Sequence, residues 1–198
     1  METSRDEILR SLRAARSSPA PLPEVADLGI RYPDAREQFA QSVTEVAGLC
    51  VFVGDRRRLN EELERLPEFA AAQKIVSLVP GVRRANVDLA AVADAHDLND
   101  VDFCVLPGEL GVAENGAVWV RQGGSPHRAA WFLAQHTALV LSGSAIVHNM
   151  HQAYERLEIG GPGFALFISG PSKTADIEQA LVIGAQGPRS CTVLVIEE

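Results

Sequence analysis

The sequence predicts an α/β fold: a largely parallel, Rossmann-like sheet covered by helices on both faces, three layers in all. Three observations predict it. Apolar runs of strand length recur at residues 49–53, 74–79, 102–106, 137–141, 164–168 and 192–196, and helical patterns separate most of them. Alternation of this kind favours a parallel sheet with crossover helices. The runs at 49–53 and 102–106 (LCVFV and DFCVL) lack polar alternation, as expected of strands buried on both faces.

Taken in order, Ser4 to Glu7 reads as a capping box, and Ile8, Leu9 and Leu12 follow at helical spacing, so residues 4–16 should form an amphipathic helix whose apolar stripe needs a partner. Residues 17–33 contain Pro19, Pro21, Pro23 and Pro33 and read as an extended linker. The chain therefore divides into an N-terminal helical arm, 1–33, and a compact domain, 34–198. Within the domain the pattern gives helix 34–47, strand 49–53, helix 56–65, strand 74–79, a short helical piece near 88–95 and strand 102–106. At 110–120 the Asn115-Gly116 pair signals a tight hairpin, a local antiparallel excursion. Strand 137–141, helix 145–157, strand 164–168, a helical turn from 174 and a terminal strand 192–196 complete the domain.

Composition excludes several classes. Hydrophobic residues are 46% and charged residues 22% of the 198, an ordinary globular balance. The charge of −8 comes from 26 acidic against 18 basic residues, and the longest basic run is Arg56-Arg57-Arg58, so no phosphate-tracking stripe exists and nucleic acid is not an expected partner. No apolar run approaches the roughly 18 residues of a membrane span, and the charged N-terminus does not read as a signal peptide. A cytoplasmic location is expected. Cys50, Cys104 and Cys191 sit singly among apolar neighbours, without the close pairing of zinc or iron–sulfur sites, and read as buried thiols.

Two segments carry candidate chemistry. Glu114 lies in an otherwise apolar and small-residue run, where strand alternation would put it beside Val112 and Gly116. It reads either as a solvated hairpin glutamate or as a ligand-facing acid or nucleophile. The second segment follows the run at 164–168. Ser169, Gly170, Ser172, Lys173 and Thr174 would supply backbone and side-chain donors to a carboxylate or phosphate at a strand end, with Asp176 and Glu178 in the next element. The alternative is a capped turn, Thr174 as N-cap and Asp176 and Glu178 in the first turn. Arg189, in the turn before the last strand, would reach an anion held there. If Glu114, Lys173, Asp176 and Arg189 converge, they should share a pocket at the carboxyl end of the sheet.

Other motifs are absent. A Walker A loop would need glycines where Phe167 and Ser172 stand, and neither a dinucleotide glycine fingerprint nor a G-x-S-x-G elbow occurs. His148, His151 and Glu155 lie at helical spacing but read as a solvated face, so no metal and no cofactor is expected on this chain.

The segments GVAENG (111–116), SGPSKTADIE (169–178) and GAQGPR (184–189), in this order and before a terminal β-run, resemble the LUD domain family of lactate utilisation. The resemblance is strongest over about 110–198 and extends from about 34. It departs where the family more often has threonine at Asn115 and histidine at Gln186. The resemblance implies a fold like that of the sugar-phosphate isomerase and CoA-transferase superfamily. It also implies a part in oxidising L-lactate to pyruvate, as an accessory subunit without iron–sulfur clusters that works beside iron–sulfur partner proteins and binds a small carboxylate. A second reading makes the chain an enzyme, since A-E-N-G is similar to the S-E-N-G segment around the catalytic glutamate of class I CoA transferases; Glu114 would then form an acyl thioester, although Val112 and Ala113 depart from that motif. A third is a structural or regulatory binding module in which the arm helix drives homo-oligomer formation.

Overall fold

The computed structural model describes residues 3–15, 21, 23, 25, 29–124, 126–160, 163–174 and 181–197. Helix α1 (Ser4–Ala14) is opened by a capping box between Thr3 and Asp6, one residue earlier than the Ser4–Glu7 pairing expected from the sequence. None of its residues is buried, and Ile8 and Leu12 are exposed.

The compact domain begins with α2 (Ala35–Glu45). Asp34 caps it by accepting from the Arg36 and Glu37 N–H groups, and Phe39, Ser42 and Val43 form its buried face. Strand β1 (Leu49–Val53) follows. The expected single helix over 56–65 is a 3-10 turn at Arg56–Arg58 followed by α3 (Leu59–Glu64). A separate α4 (Pro67–Ala71) then starts at Pro67, whose missing N–H and fixed φ suit a first helical turn but not an interior. Strand β2 (Ile75–Ser77) leads through two short 3-10 turns, capped by Asp88 and Asp94, to β3 (Phe103–Pro107).

Next come the hairpin strands β4 (Leu110–Val112) and β5 (Ala117–Arg121), α5 (Ala130–Leu133) and β6 (His136–Ser142). The chain continues through β7 (Ile146–Val147), α6 (Met150–Arg156), β8 (Ala165–Ile168), β9 (Lys173–Thr174), β10 (Val182–Ile183) and β11 (Ser190–Ile196).

Strands β1, β11, β6, β3 and β2 form a five-stranded sheet in that order, every pair parallel. This is the Rossmann-like α/β arrangement expected, and the period-2 alternation along β6 and β11 divides their side chains between two cores. Ala138, Val140, Leu194 and Ile196 join Leu59, Leu63 and Phe69 of α3 and α4 on one face. Leu139, Leu141, Val193 and Val195 join Phe39 and Val43 of α2, Trp131 of α5, and Val118 and Val120 of β5 on the other.

That second face holds an unexpected layer, a mixed sheet of order β7-β4-β5-β8. The run at 164–168, expected in the parallel sheet, is β8 and pairs antiparallel with β5. It is only half-buried, as an edge strand is, and the Phe167 ring lies 4.8 Å from that of Trp119. The expected helix over 145–157 likewise begins as β7, parallel to β4, and becomes helical only after Asn149 caps α6. The β-branched Ile146 and Val147 fit a pleated pair better than a helical turn. Leu110, Val112, Trp119, Val147 and Ala153 pack as a third, smaller core beneath α6.

The β4–β5 hairpin is closed by a four-residue loop, 113–116, and not by the two-residue Asn-Gly turn the sequence suggested. Val112 pairs with Ala117, and the Gly116 N–H donates to the Val112 carbonyl (2.9 Å). A type I′ turn needs positive φ at both central residues. Only Gly116 has it, at 65°, while the Asn115 side chain accepts from the Ala117 N–H (3.1 Å).

Gly116 is pressed on α2, and a Cβ there would sit 2.7 Å from the Val43 nitrogen and 2.9 Å from the Ser42 carbonyl carbon. Gly116→Ala should therefore lower stability by at least about 1–2 kcal/mol from the left-handed backbone alone, read as a fall in the urea midpoint. An unchanged midpoint would mean that the hairpin tip does not need this contact.

Candidate functional site

Glu114 sits in the hairpin loop, not on a strand, so the alternation that would place it beside Val112 and Gly116 does not apply. Its N–H donates to the His148 carbonyl (3.1 Å), and its carboxylate accepts from the Met150 N–H (2.9 Å) at the start of α6. Asn149 caps the same helix by accepting from Gln152 N–H, and its side-chain amide donates to the Ile30 carbonyl (2.8 Å), tying the segment before α2 to the domain. Glu114 is thus a second acceptor at a helix N-terminus, where the exposed N–H groups and the helix dipole favour a negative charge.

The next residue faces the other way. The Asn115 carbonyl accepts from the Ser169 hydroxyl (2.9 Å), which links the hairpin tip to the end of β8. Gly170 follows with φ 70°, so close to α2 that a Cβ would overlap the Val46 carbonyl. Lys173 completes the junction: its ammonium donates to the carbonyls of Val46 (2.9 Å), Pro171 (3.2 Å) and Ser169 (3.3 Å). An ammonium has three donors, so all of them are spent on main-chain oxygens, including the C-cap of α2. The expected free anion-binding lysine is a helix-terminus clamp.

The remaining predicted residues divide. The Ser172 N–H donates to the Pro188 carbonyl and its carbonyl accepts from the Gly184 N–H, each at 2.9 Å. Thr174 does not cap a helix; it pairs with Val182 in the two-stranded β9–β10 ribbon. Asp176 and Glu178 lie outside the described residues. Arg189 is exposed at the amino edge of the parallel sheet, its N–H donating to the Gln135 carbonyl (2.7 Å). Among the described residues, the shared pocket expected at the carboxyl end of the sheet does not form: Glu114, Lys173 and Arg189 do not converge. Glu114 turns toward α6, Arg189 and Ser172 lie by the amino end of β11, and β8 belongs to the other sheet.

His148 is occupied as well, its ring accepting from the Tyr32 N–H (3.1 Å) and stacking on Tyr32, while His151 is exposed. Among the described residues no group of three His, Cys, Asp or Glu side chains is placed to hold a metal ion.

Three of the predicted residues, Gly170, Ser172 and Lys173, do line one cavity of about 330 Å³ between β8 and the amino ends of β6 and β11. Leu166, Ile168, Trp131 and Pro188 make its apolar wall, Gln186 stands at it, and Thr137 and Cys191 reach it from the parallel sheet. Thr137 is in register between Cys191 of β11 and Cys104 of β3. Trp131 and Thr137 are 1% and 2% exposed, yet neither the indole N–H nor the threonine hydroxyl has a hydrogen-bond partner. Each such group costs about 1–3 kcal/mol when left unpaired. Sequence reasoning passed over both residues; the only signal was one threonine opening an apolar strand and one tryptophan in a short helix.

Two other cavities carry fewer such groups, the buried indole N–H of Trp119 at the first of them also being without a partner. A wider one of about 590 Å³ is lined by Trp119, Arg121, Glu158 and the glycines of two loops, and one of about 190 Å³ lies at the carboxyl edge by Arg56, Pro107 and Ser142. Neither gathers the predicted residues. The thiols are inert by position: burial pushes Cys104 up to about 12, Cys191 to about 12 against a small opposing effect of the Lys173 ammonium, and Cys50 to about 11.

Residues 61–196 match the family described as the LUD domain. The chain is 31% identical over 138 residues to lactate utilization protein C of Geobacillus kaustophilus, covering 66% of this chain and 54% of that one. It is 32% identical over 171 residues to the YkgG protein of Escherichia coli, covering 80% and 71%. The chain thus spans about half the length of the first of these relatives. A crystal structure of a DUF162 family protein from Deinococcus radiodurans superposes with a TM-score of 0.64 over 82% of this chain and 96% of that one, at 14% identity, a likeness of fold.

Glu114→Ala should cost about 0.5–2 kcal/mol, the range for a lost N-terminal cap, and Glu114→Gln, which keeps an acceptor, much less; equal losses in thermal melts would remove the capping role. Since only the thiolate is reactive, Ellman's reagent should leave Cys104 and Cys191 untouched in the native protein and titrate them in denaturant. Fast reaction of the folded chain at neutral pH beyond one thiol would contradict their burial.

Proposed function

The chain belongs to the LUD domain family, and from that premise we propose that it is an accessory subunit, without iron–sulfur clusters, of a system that oxidises L-lactate to pyruvate in the cytoplasm. The match over residues 61–196, with relatives called lactate utilization protein C, carries the reading. Lactate oxidation releases two electrons and two protons, which a redox partner must accept. This chain's own thiols do not fit a cluster: Cys104 and Cys191 are fully buried and neutral on separate strands, and Cys50 lies on a third. Cluster ligation and electron transfer then fall to iron–sulfur partner proteins, and this chain contributes a binding surface and a small-ligand cavity. No helix among the described residues is long and apolar enough to cross a membrane.

The CoA-transferase-like reading has less support, because a nucleophilic Glu114 would have to give up its bond to the Met150 N–H at α6.

Affinity purification of the tagged chain from its native host grown on L-lactate should recover two cysteine-rich iron–sulfur proteins, with iron in the eluate by elemental analysis. Recovery of the chain alone under the same conditions would overturn the accessory role and move the weight to an independent small-molecule protein.

A further inference from the structure

The cavity beside β8 has a feature that its role as a gap between two sheets does not explain. Two of its lining side chains, Trp131 and Thr137, are almost wholly buried and carry polar atoms without a partner. Buried polar groups are nearly always satisfied, and polar groups converging in an apolar cavity are the usual mark of a ligand site.

We propose that this cavity binds a short-chain monocarboxylate, whose oxygens accept from the Trp131 indole N–H and the Thr137 hydroxyl while its alkyl end rests on Leu166, Ile168 and Pro188. Both atoms are shielded from solvent, so binding requires the two side chains to turn toward the acid.

The donor set selects the class. An indole N–H only donates and a threonine hydroxyl donates readily, so this pair calls for an acceptor. Lys173 stands in the wall, and the described lining residues include no carboxylate side chain. Because all three Lys173 donors already serve main-chain carbonyls, the lysine adds one positive charge without free donors. That suits a single negative charge and offers nothing to the several charges of a phosphate or a dicarboxylate. Burial keeps the Cys191 thiol beside it neutral, so it does not repel an anion. The volume of about 330 Å³ is at the small end for ligand pockets, and the remaining wall is apolar. The proposal rests on the lactate-utilisation reading only for the identity of the natural acid, since lactate and pyruvate are the members of this class that the reading supplies.

The test titrates the full-length chain with sodium L-lactate, pyruvate, propionate and butyrate by calorimetry and by tryptophan fluorescence, with propionamide and inorganic phosphate in parallel. Saturable binding of at least one acid is expected, with phosphate and propionamide silent. Thr137→Val, isosteric at its strand position, and Trp131→Phe should each weaken it ~10-fold while leaving cooperative unfolding intact. If Trp131→Phe does not fold, Thr137→Val alone decides. Failure of every acid to saturate, acid binding indifferent to Thr137→Val, or propionamide binding as tightly as propionate would each overturn the proposal. Recovery of iron–sulfur partners from cells without acid binding would overturn this site and leave the accessory role standing; acid binding by a chain that purifies alone would do the reverse.

Discussion

The hairpin side of the protein hangs from the carboxyl end of α2. A helix ends with carbonyls that have no partner within it, and here the C-cap carbonyl of Val46 takes its hydrogen bond from Lys173, more than a hundred residues further along the chain. Gly170 lies against the same carbonyl and Gly116 against the Ser42–Val43 backbone one turn earlier, while the buried Ser42 hydroxyl donates to the Ala113 carbonyl (2.7 Å). One helix end thereby fixes the tip of the β4–β5 hairpin, the end of β8 and the loop leading to β9. Side chains at Gly116 and Gly170 would push these pieces apart, since backbone atoms occupy the space.

This junction also shapes the cavity. Gly170, Pro171, Ser172 and Lys173 form one of its walls because Lys173 is held back on α2, and β8 supplies another because Ser169 is bound to Asn115. The parallel sheet provides the floor, where period-2 alternation turns Thr137 and Cys191 to the same side as Leu139 and Val193. Among the described residues that line it, Thr137 and Trp131 carry buried polar atoms without a partner. The segments that carry the family resemblance thus serve first as mutual supports, and the unsatisfied chemistry lies beside them.

Glu114 shows the same division on the opposite side of the hairpin. Its carboxylate and the Asn149 side chain share the N-terminus of α6, so a residue that resembles a catalytic glutamate by its neighbours in sequence is held by a helix cap in space. Asn149 also donates to the Ile30 carbonyl, which ties the segment before α2 to the start of α6.

Sequence alone determined the α/β class, the parallel strands at 49–53, 102–106 and 192–196, the start of α2 at Asp34 and the isolation of the three cysteines, because each depends on local pattern: apolar runs, a capping aspartate, residue spacing. It also marked Gly170, Ser172 and Lys173 as belonging to one place. Tertiary structure decided what those residues do. Whether β8 joins the parallel sheet or pairs with β5, whether Lys173 faces a ligand or a helix end, and whether Asn115-Gly116 closes a two-residue or a four-residue loop all depend on partners far away in sequence. Thr137 and Trp131 were invisible for the same reason: an unpaired hydroxyl or indole is defined by what fails to reach it once the sheets have packed, and no local pattern records that.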